Sequence, residues 1–229
     1  MRGTLERGLP ELGVDTACIP ALESFSRALL EKNQVMNLTA ITEPREVATL
    51  HLLDSLALIP LGGLASGSVV DVGTGAGFPG VPLAIALPES RVTLLDSLGK
   101  RIAFLQETCE ALSLKNTTCI HSRAEDFAKD HREAFDAAVS RAVAGLPILC
   151  ELCLPLVKVG GRFLAMKSSH EEIGPAESAI SALGGRIGDV IDYQIPTTDV
   201  VHRIVCIEKI RPTPKRYPRR FAQIKKQPL

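Results

Sequence analysis

Val69-Val70-Asp71-Val72-Gly73-Thr74-Gly75-Ala76-Gly77-Phe78-Pro79-Gly80 is the stretch on which the fold of this chain turns. The apolar run Val69 to Val72 has the look of a strand buried on both faces, as in a parallel sheet. Four glycines follow within eight residues, and an apolar helix is expected from Val81 to Leu87. Glycine lets the backbone turn sharply and lets a ligand come closer than a Cβ would allow. A strand, a glycine-rich turn and a helix N-terminus together predict a nucleotide-type binding site.

Outward from that turn, strand and helix patterns alternate. Strands are expected at 68–73, 91–96, 117–121, 135–140 and 162–167, with helices at 98–113, near 124–127 and at 145–157. A helix over 171–183 then gives way to two strands, 186–195 and 203–210, joined by Pro196-Thr197-Thr198-Asp199. The pattern predicts an α/β doubly wound, mostly parallel seven-stranded sheet closed by an antiparallel hairpin. Upstream, residues 1–19 hold Gly3, Gly8, Pro10 and Gly13 with little periodicity and predict a frayed start. Leu22, Phe25, Leu29 and Leu30 then fall on one helical face. Thr42-Glu43-Pro44 caps a second helix, with Pro44 at N1, that carries His51 and Asp54 one turn apart. Those two side chains are expected to bond each other and brace the helices over the site. The expected organisation is a helical appendage over 1–64, a nucleotide-binding domain over 65–210 and a basic tail over 211–229.

Composition narrows the class. The chain has 229 residues, 45% hydrophobic and 23% charged, as in ordinary globular proteins. No apolar run approaches the roughly 20 residues of a membrane span, and the N-terminus lacks an apolar signal region. A cytoplasmic protein that uses neither a membrane nor a metal is expected, and a monomer. Cys150 and Cys153 form the only close cysteine pair, but helix pattern on both sides argues against a redox motif, and no second pair completes a zinc site. Buried reduced thiols are expected. The net charge of zero hides an asymmetry: from His202 onward nine basic residues face Glu208 alone, leaving that segment at +8. A basic segment on an acidic body points to a polyanionic partner.

Gly75-Ala76-Gly77-Phe78-Pro79-Gly80 fits the G-x-G-x-x-G template, which admits NAD as well as S-adenosylmethionine (SAM). Asp96 ends the second strand about 20 residues on, where a carboxylate accepts ribose hydroxyls in either case. Asp71 favours SAM, because a carboxylate there suits the ammonium or a nearby cation and repels a pyrophosphate. The closing hairpin resembles the SAM methyltransferase fold, a Rossmann-like class I arrangement. Ser122-Arg123-Ala124-Glu125 after the third strand offers amides and an acid to an adenine edge. Glu125 also suits a helix N-terminus. Ser140-Arg141-Ala142 ends the fourth strand at the ligand side of the sheet.

Asn37-Leu38-Thr39-Ala40-Ile41, His51-Leu52-Leu53-Asp54-Ser55, the glycine turn, Leu95-Asp96-Ser97-Leu98-Gly99-Lys100-Arg101 and Ser140-Arg141-Ala142 occur in this order. Together they resemble the RsmG family, also called glucose-inhibited division protein B, whose members methylate guanine N7 in bacterial 16S ribosomal RNA. The resemblance implies SAM contacts at Gly73, Phe78, Ala124, Glu125 and Arg141; Asp71, Gly75, Gly77 and Asp96 join them from the reading above. It also implies a target in the decoding-region loop of 16S rRNA; naked RNA, the 30S subunit and an assembly intermediate all stand as the form in which it is met. Lys215-Arg216-Tyr217-Pro218-Arg219-Arg220 resembles the basic tail of longer members, although His202 stands where arginine is more usual and Phe221 to Ile224 lack the common Gly and Pro.

Guanine N7 carries a lone pair and no proton, so in-line methyl transfer needs no general base and no catalytic residue is named. Phe78 is expected either as a platform for the cationic product or as a shaper of the SAM pocket. Arg123, Arg141, Lys167, Lys215, Arg216, Arg219 and Arg220 are the expected RNA contacts, and removing the tail is expected to leave SAM affinity unchanged. The alternatives are a SAM methyltransferase with another substrate and a non-catalytic RNA-binding ribosome-assembly factor.

Overall fold

A computed structural model describes residues 1–61, 63–141 and 144–229. Gly62, near the expected end of the second helix, and Ala142, in the stretch after the fourth strand, lie outside the described residues. Among the described residues seven strands form one sheet: β1 (Ser68–Val72), β2 (Arg91–Asp96), β3 (Thr117–His121), β4 (Phe135–Arg141), β5 (Val157–Ser168), β6 (Gly185–Gln194) and β7 (Val201–Lys209). Their order is β3-β2-β1-β4-β5-β7-β6. β1 pairs in parallel with β2 (Val70 opposite Thr93) and with β4 (Val70 opposite Ala138), while β7 runs antiparallel to β5 and β6. The chain reverses its direction of winding at β1, so the carboxyl ends of β1 and β4 flank the crevice where ligands bind in such sheets.

β5 starts five residues before the expected Arg162. Its pairing with β4 shifts register between Phe135 and Ala137. The Gly160-Gly161 pair makes this possible: a Cβ on Gly161 would lie 2.5 Å from the Asp136 carbonyl.

Strand alternation sends side chains to the two faces of the sheet. Val70, Val72, Ala138 and Phe163 pack with α7 (Ala124–Asp130), α8 (Leu146–Cys153), α9 (Glu177–Ala182) and α10 (Phe221–Lys226) on one face. Val92 and Leu94 pack on the other face with α1 (Arg2–Glu11), α2 (Ile19–Met36), α5 (Gly80–Ala86) and α6 (Gly99–Ala111). Cys150 and Cys153 are fully buried in α8, as the sequence predicts.

Residues 1–19 are not frayed. Leu5 and Leu9, one turn apart in α1, are fully buried against Leu22, Phe25 and Leu53. Gly8 lets the helix come this close, since a Cβ there would sit 2.5 Å from Leu53 Cδ1. Glu43 caps the next rod as expected, accepting from the Glu46 amide at 2.9 Å. That rod has three parts: α3 (Pro44–Glu46), a π-helical turn over Val47–Leu53, and α4 (Asp54–Leu56). The last residues fold back on the body, with Thr213, Tyr217 and Ile224 buried.

Candidate active site

The glycine turn links β1 to α5 and forms the floor of a cavity of about 440 Å³. Gly73, Gly75, Phe78, Asp96, Arg123, Ala124, Glu125 and Arg141 line it; Asp71 and Gly77 do not. Gly75 needs its positive φ of 60°, which turns its amide onto Asp96 Oδ2 at 2.9 Å. The Leu98 amide holds Asp96 Oδ1 at 2.8 Å. Each carboxylate oxygen keeps a second lone pair, so Asp96 is fixed in orientation and still able to accept from a ribose diol.

Asp71 corrects the sequence expectation. Pleat alternation points it to the face opposite Val70 and Val72, fully buried beneath the turn. Its Oδ2 accepts from the Gly80 amide at 2.8 Å, at the start of α5. Burial pushes this carboxyl up to about 7, against the Thr74 hydroxyl and Gly80 amide that favour the charged form. It shapes the turn and does not line the cavity. Gly77 is a second correction. A Cβ there would meet Leu105, Val81 and Phe25 at 2.8–3.1 Å, so this glycine packs the turn onto α6 and α2.

Arg141 forms the wall opposite Asp96. Its guanidinium donates to the Leu50 carbonyl (3.0 Å), Asp54 Oδ2 (3.0 Å) and His51 Nδ1 (3.1 Å), and lies 4.9 Å from the Phe78 ring centroid. The His51 ring stacks on Phe78 at 4.5 Å. Phe78 is therefore covered by its own neighbours, which favours its role as a shaper of the pocket. The anticipated His51–Asp54 bond is absent among the described residues; Arg141 joins them instead. Asp54 also accepts from Tyr193 (2.6 Å) and His202 (2.9 Å). Burial alone would raise Asp54, but His202, Arg141 and Tyr193 outweigh it and hold the carboxyl below its ordinary range. The N-terminal rod, β4, β6 and β7 thus meet at one carboxylate.

At the mouth, Arg123 is half-exposed and donates to Glu125 Oε1 at 2.8 Å. Phe221 closes that side: its ring lies under Arg123 at 5.1 Å, and its amide donates to Glu125 at 3.3 Å. Lys167 and Arg219 correct the list of RNA contacts. Lys167, 9% exposed, gives its ammonium to the Ala144 carbonyl and to Glu171 at 3.1 Å. Arg219 forms a two-pronged pair with the fully buried Glu151, at 2.6 and 2.9 Å. Lys215, Arg216 and Arg220 are exposed.

Among the lining residues that sequence reasoning did not assign to the site are Phe221, Leu38 and Thr39. Phe221 lay in a segment treated as tail. Leu38 and Thr39 lay in a motif given no site role; Asn33 Oδ1 fixes both by accepting from their amides at 2.6 and 2.9 Å. The Asn37–Ile41 motif was the available signal. Asp96 with two amide-held oxygens, apolar Leu98 and Phe221, and Glu125 beside Ala124 fit the ribose and adenine of SAM. Among the described residues no group of three or more His, Cys, Asp or Glu is placed to hold a metal, and no helix is long and apolar enough to cross a membrane.

The family model for rRNA small subunit methyltransferase G matches residues 18–194. A ribosomal RNA small subunit methyltransferase G from Alkaliphilus oremlandii is 48% identical, covering 100% of this chain and 99% of its own. One from Acetivibrio thermocellus is 44% identical over 100% and 97%. Among solved structures, a 16S rRNA (adenine(1408)-N(1))-methyltransferase from Catenulisporales acidiphilia, crystallised with cosubstrate SAM, superposes with a TM-score of 0.54. It is 18% identical and covers 66% of this chain and 88% of its own. M. jannaschii TYW2 in complex with AdoMet gives 0.53 at 17% identity, over 64% and 70%. At these identities the likeness is one of fold.

Proposed function

The chain belongs to the rRNA small subunit methyltransferase G family, and from that footing we propose that it transfers the methyl group of SAM to N7 of a guanine in the decoding-region loop of 16S ribosomal RNA. The observation that carries this reading is the cavity at the ends of β1, β2 and β4, with Asp96 fixed on one side and Arg141 on the other.

When bound, SAM supplies an electrophilic methyl group on a sulfonium. Asp96 would accept from its ribose hydroxyls, and Ala124, Glu125 and Phe221 would border its adenine. Gly73 and Gly75 bring backbone rather than side chains against the ligand. Because guanine N7 bears no proton, no side chain has to remove one, and none is assigned as base. The chain contributes position and the exclusion of water. Arg141, bonded to Asp54 and His51 and lying against the Phe78 ring, is held in place at the edge of the cavity. The target base has to leave its loop to reach this depth.

The test uses the purified full chain, SAM with a tritiated methyl group, and 30S subunits lacking the modification. Label is expected in 16S RNA at one guanine, with strand scission there after the treatment that reveals 7-methylguanine. Absence of label on both subunits and free RNA would overturn the reading.

A further inference from the structure

A second cavity, of about 740 Å³, lies on the far side of Arg141. His51 and Arg141 line both cavities, so the two share a wall. Ile41, Leu50, Met166 and Val200 give the second cavity apolar sides, while Ser168, Glu171 and His202 are polar residues that line it and not the first. Glu171 Oε1 is already committed, accepting from the Leu146 amide and the Lys167 ammonium, both at 3.1 Å. Its Oε2 accepts no hydrogen bond among the described residues.

Building on the function proposed above, we propose that this second cavity holds the target guanine, and that Glu171 selects guanine by accepting from its N1–H and N2 amino group. Apolar sides suit the faces of a flat heterocycle. A methyl acceptor has to sit next to the methyl donor, and this cavity adjoins the SAM site through one arginine and one histidine. Guanine presents two adjacent donors on the edge away from N7, and the two lone pairs of Glu171 Oε2 can accept both. Adenine presents an acceptor at N1, which a carboxylate repels. Glu171 lines only the second cavity, whereas His51 and Arg141 line both, so a guanine held at Glu171 by its N1–H and N2 edge turns N7 toward the side where the two cavities adjoin. A phosphate fits poorly here, because Glu171 neutralises Lys167, the nearest ammonium.

The test compares 30S subunits reconstituted with 16S rRNA carrying guanosine or inosine, which lacks the N2 amino group, at the modified position. The wild-type chain is expected to prefer guanosine about tenfold or more in kcat/KM, as for a hydrogen bond to a charged group. In Glu171→Gln the amide oxygen takes the Leu146 amide and the NH2 group stands where Oε2 stood, so it cannot accept. That variant is expected to lose activity on guanosine subunits, with its guanosine-to-inosine ratio collapsing to about one, while calorimetric SAM affinity stays unchanged. A structural role alone would leave the ratio intact. Val200→Trp fills the cavity from an exposed rim position and is expected to abolish methylation with normal SAM affinity. An unchanged ratio in Glu171→Gln, or full activity in Val200→Trp, overturns this assignment while leaving the parent reading standing. A wild-type chain that methylates no subunit removes both.

Discussion

Arg141 has no lone pair, so His51 Nδ1 must accept its hydrogen bond and the ring proton must sit on Nε2, directed at Thr39 Oγ1 at 2.8 Å. Burial, and then the neighbouring guanidinium, push His51 from 6.5 down to about 4, so the ring is neutral in the fold. The unfolded ring takes a proton near 6.5. The stabilisation from His51 is therefore complete above that pH and is lost as pH falls toward about 4. Asp71 runs the other way. Its folded value near 7 lies above its ordinary 3.8, so its contribution is present below about 4 and is lost as pH rises through 7. In the wild-type chain the two slopes oppose, and substitution separates them. Relative to wild type, His51→Gln should gain stability as pH falls through the first window. Asp71→Asn, which keeps an acceptor for the Gly80 amide, should gain as pH rises through the second. Each relative change is on the order of 3 kcal/mol, measured by urea unfolding across about pH 4 to 8. Differences from wild type that stay flat with pH would contradict both assignments.

At the scale of elements, the π turn over Val47–Leu53 and the C-terminal segment do the most to build the site. The π turn's Leu50 carbonyl accepts from Arg141, a typical setting for a π-helical insertion near function. The C-terminal segment brings Phe221 to the cavity and Arg219 to Glu151. Removing residues 211–229 should therefore weaken SAM affinity, where the sequence implied no change. It should also destabilise the fold by about 3–5 kcal/mol, because Glu151 is left buried and unpaired. Phe221→Ala should weaken SAM binding with a smaller loss of stability. Calorimetry and denaturant unfolding separate the effects, and unaltered SAM affinity in both variants would refute the closing role of Phe221. The βα units from β1 to β5 were legible because apolar runs and turn residues alternate at strand and helix spacing. α1 was hidden because Gly3, Gly8 and Pro10 mask a stripe of only two leucines. The docking of the tail was hidden because Tyr217 and Ile224 stand among charges. Asp96, Glu125 and Arg141 were legible from their places at strand ends. The inward commitment of Asp71, Lys167 and Arg219 was not, since it depends on partners up to 68 positions away in the chain.

For the whole molecule, formal neutrality conceals a basic C-terminal segment on an acidic remainder. Of the nine basic residues after His202, Arg203, Lys209 and Arg219 are paired with Asp192, Glu133 and Glu151. Arg211 donates to the Ser181 carbonyl at 3.2 Å. Lys215, Arg216, Arg220, Lys225 and Lys226 are exposed and make no ion pair among the described residues, so the electrostatic hold on RNA falls to them. Because α10 and Tyr217 anchor this segment to the body, its charges stand in a fixed relation to the cavity mouth and cannot range as a free tail would. Replacing Lys215, Arg216 and Arg220 together with alanine should weaken RNA binding and flatten the slope of log affinity against log salt by about two to three, one phosphate contact each. Arg219→Ala should leave that slope nearly unchanged and lower stability instead, since its charge answers Glu151 rather than phosphate. Filter binding to 16S RNA over a salt series, beside unfolding curves, measures both variants. A flattened slope in Arg219→Ala, or an unaltered one in the triple variant, would show that the inward and outward charges had been assigned the wrong way round.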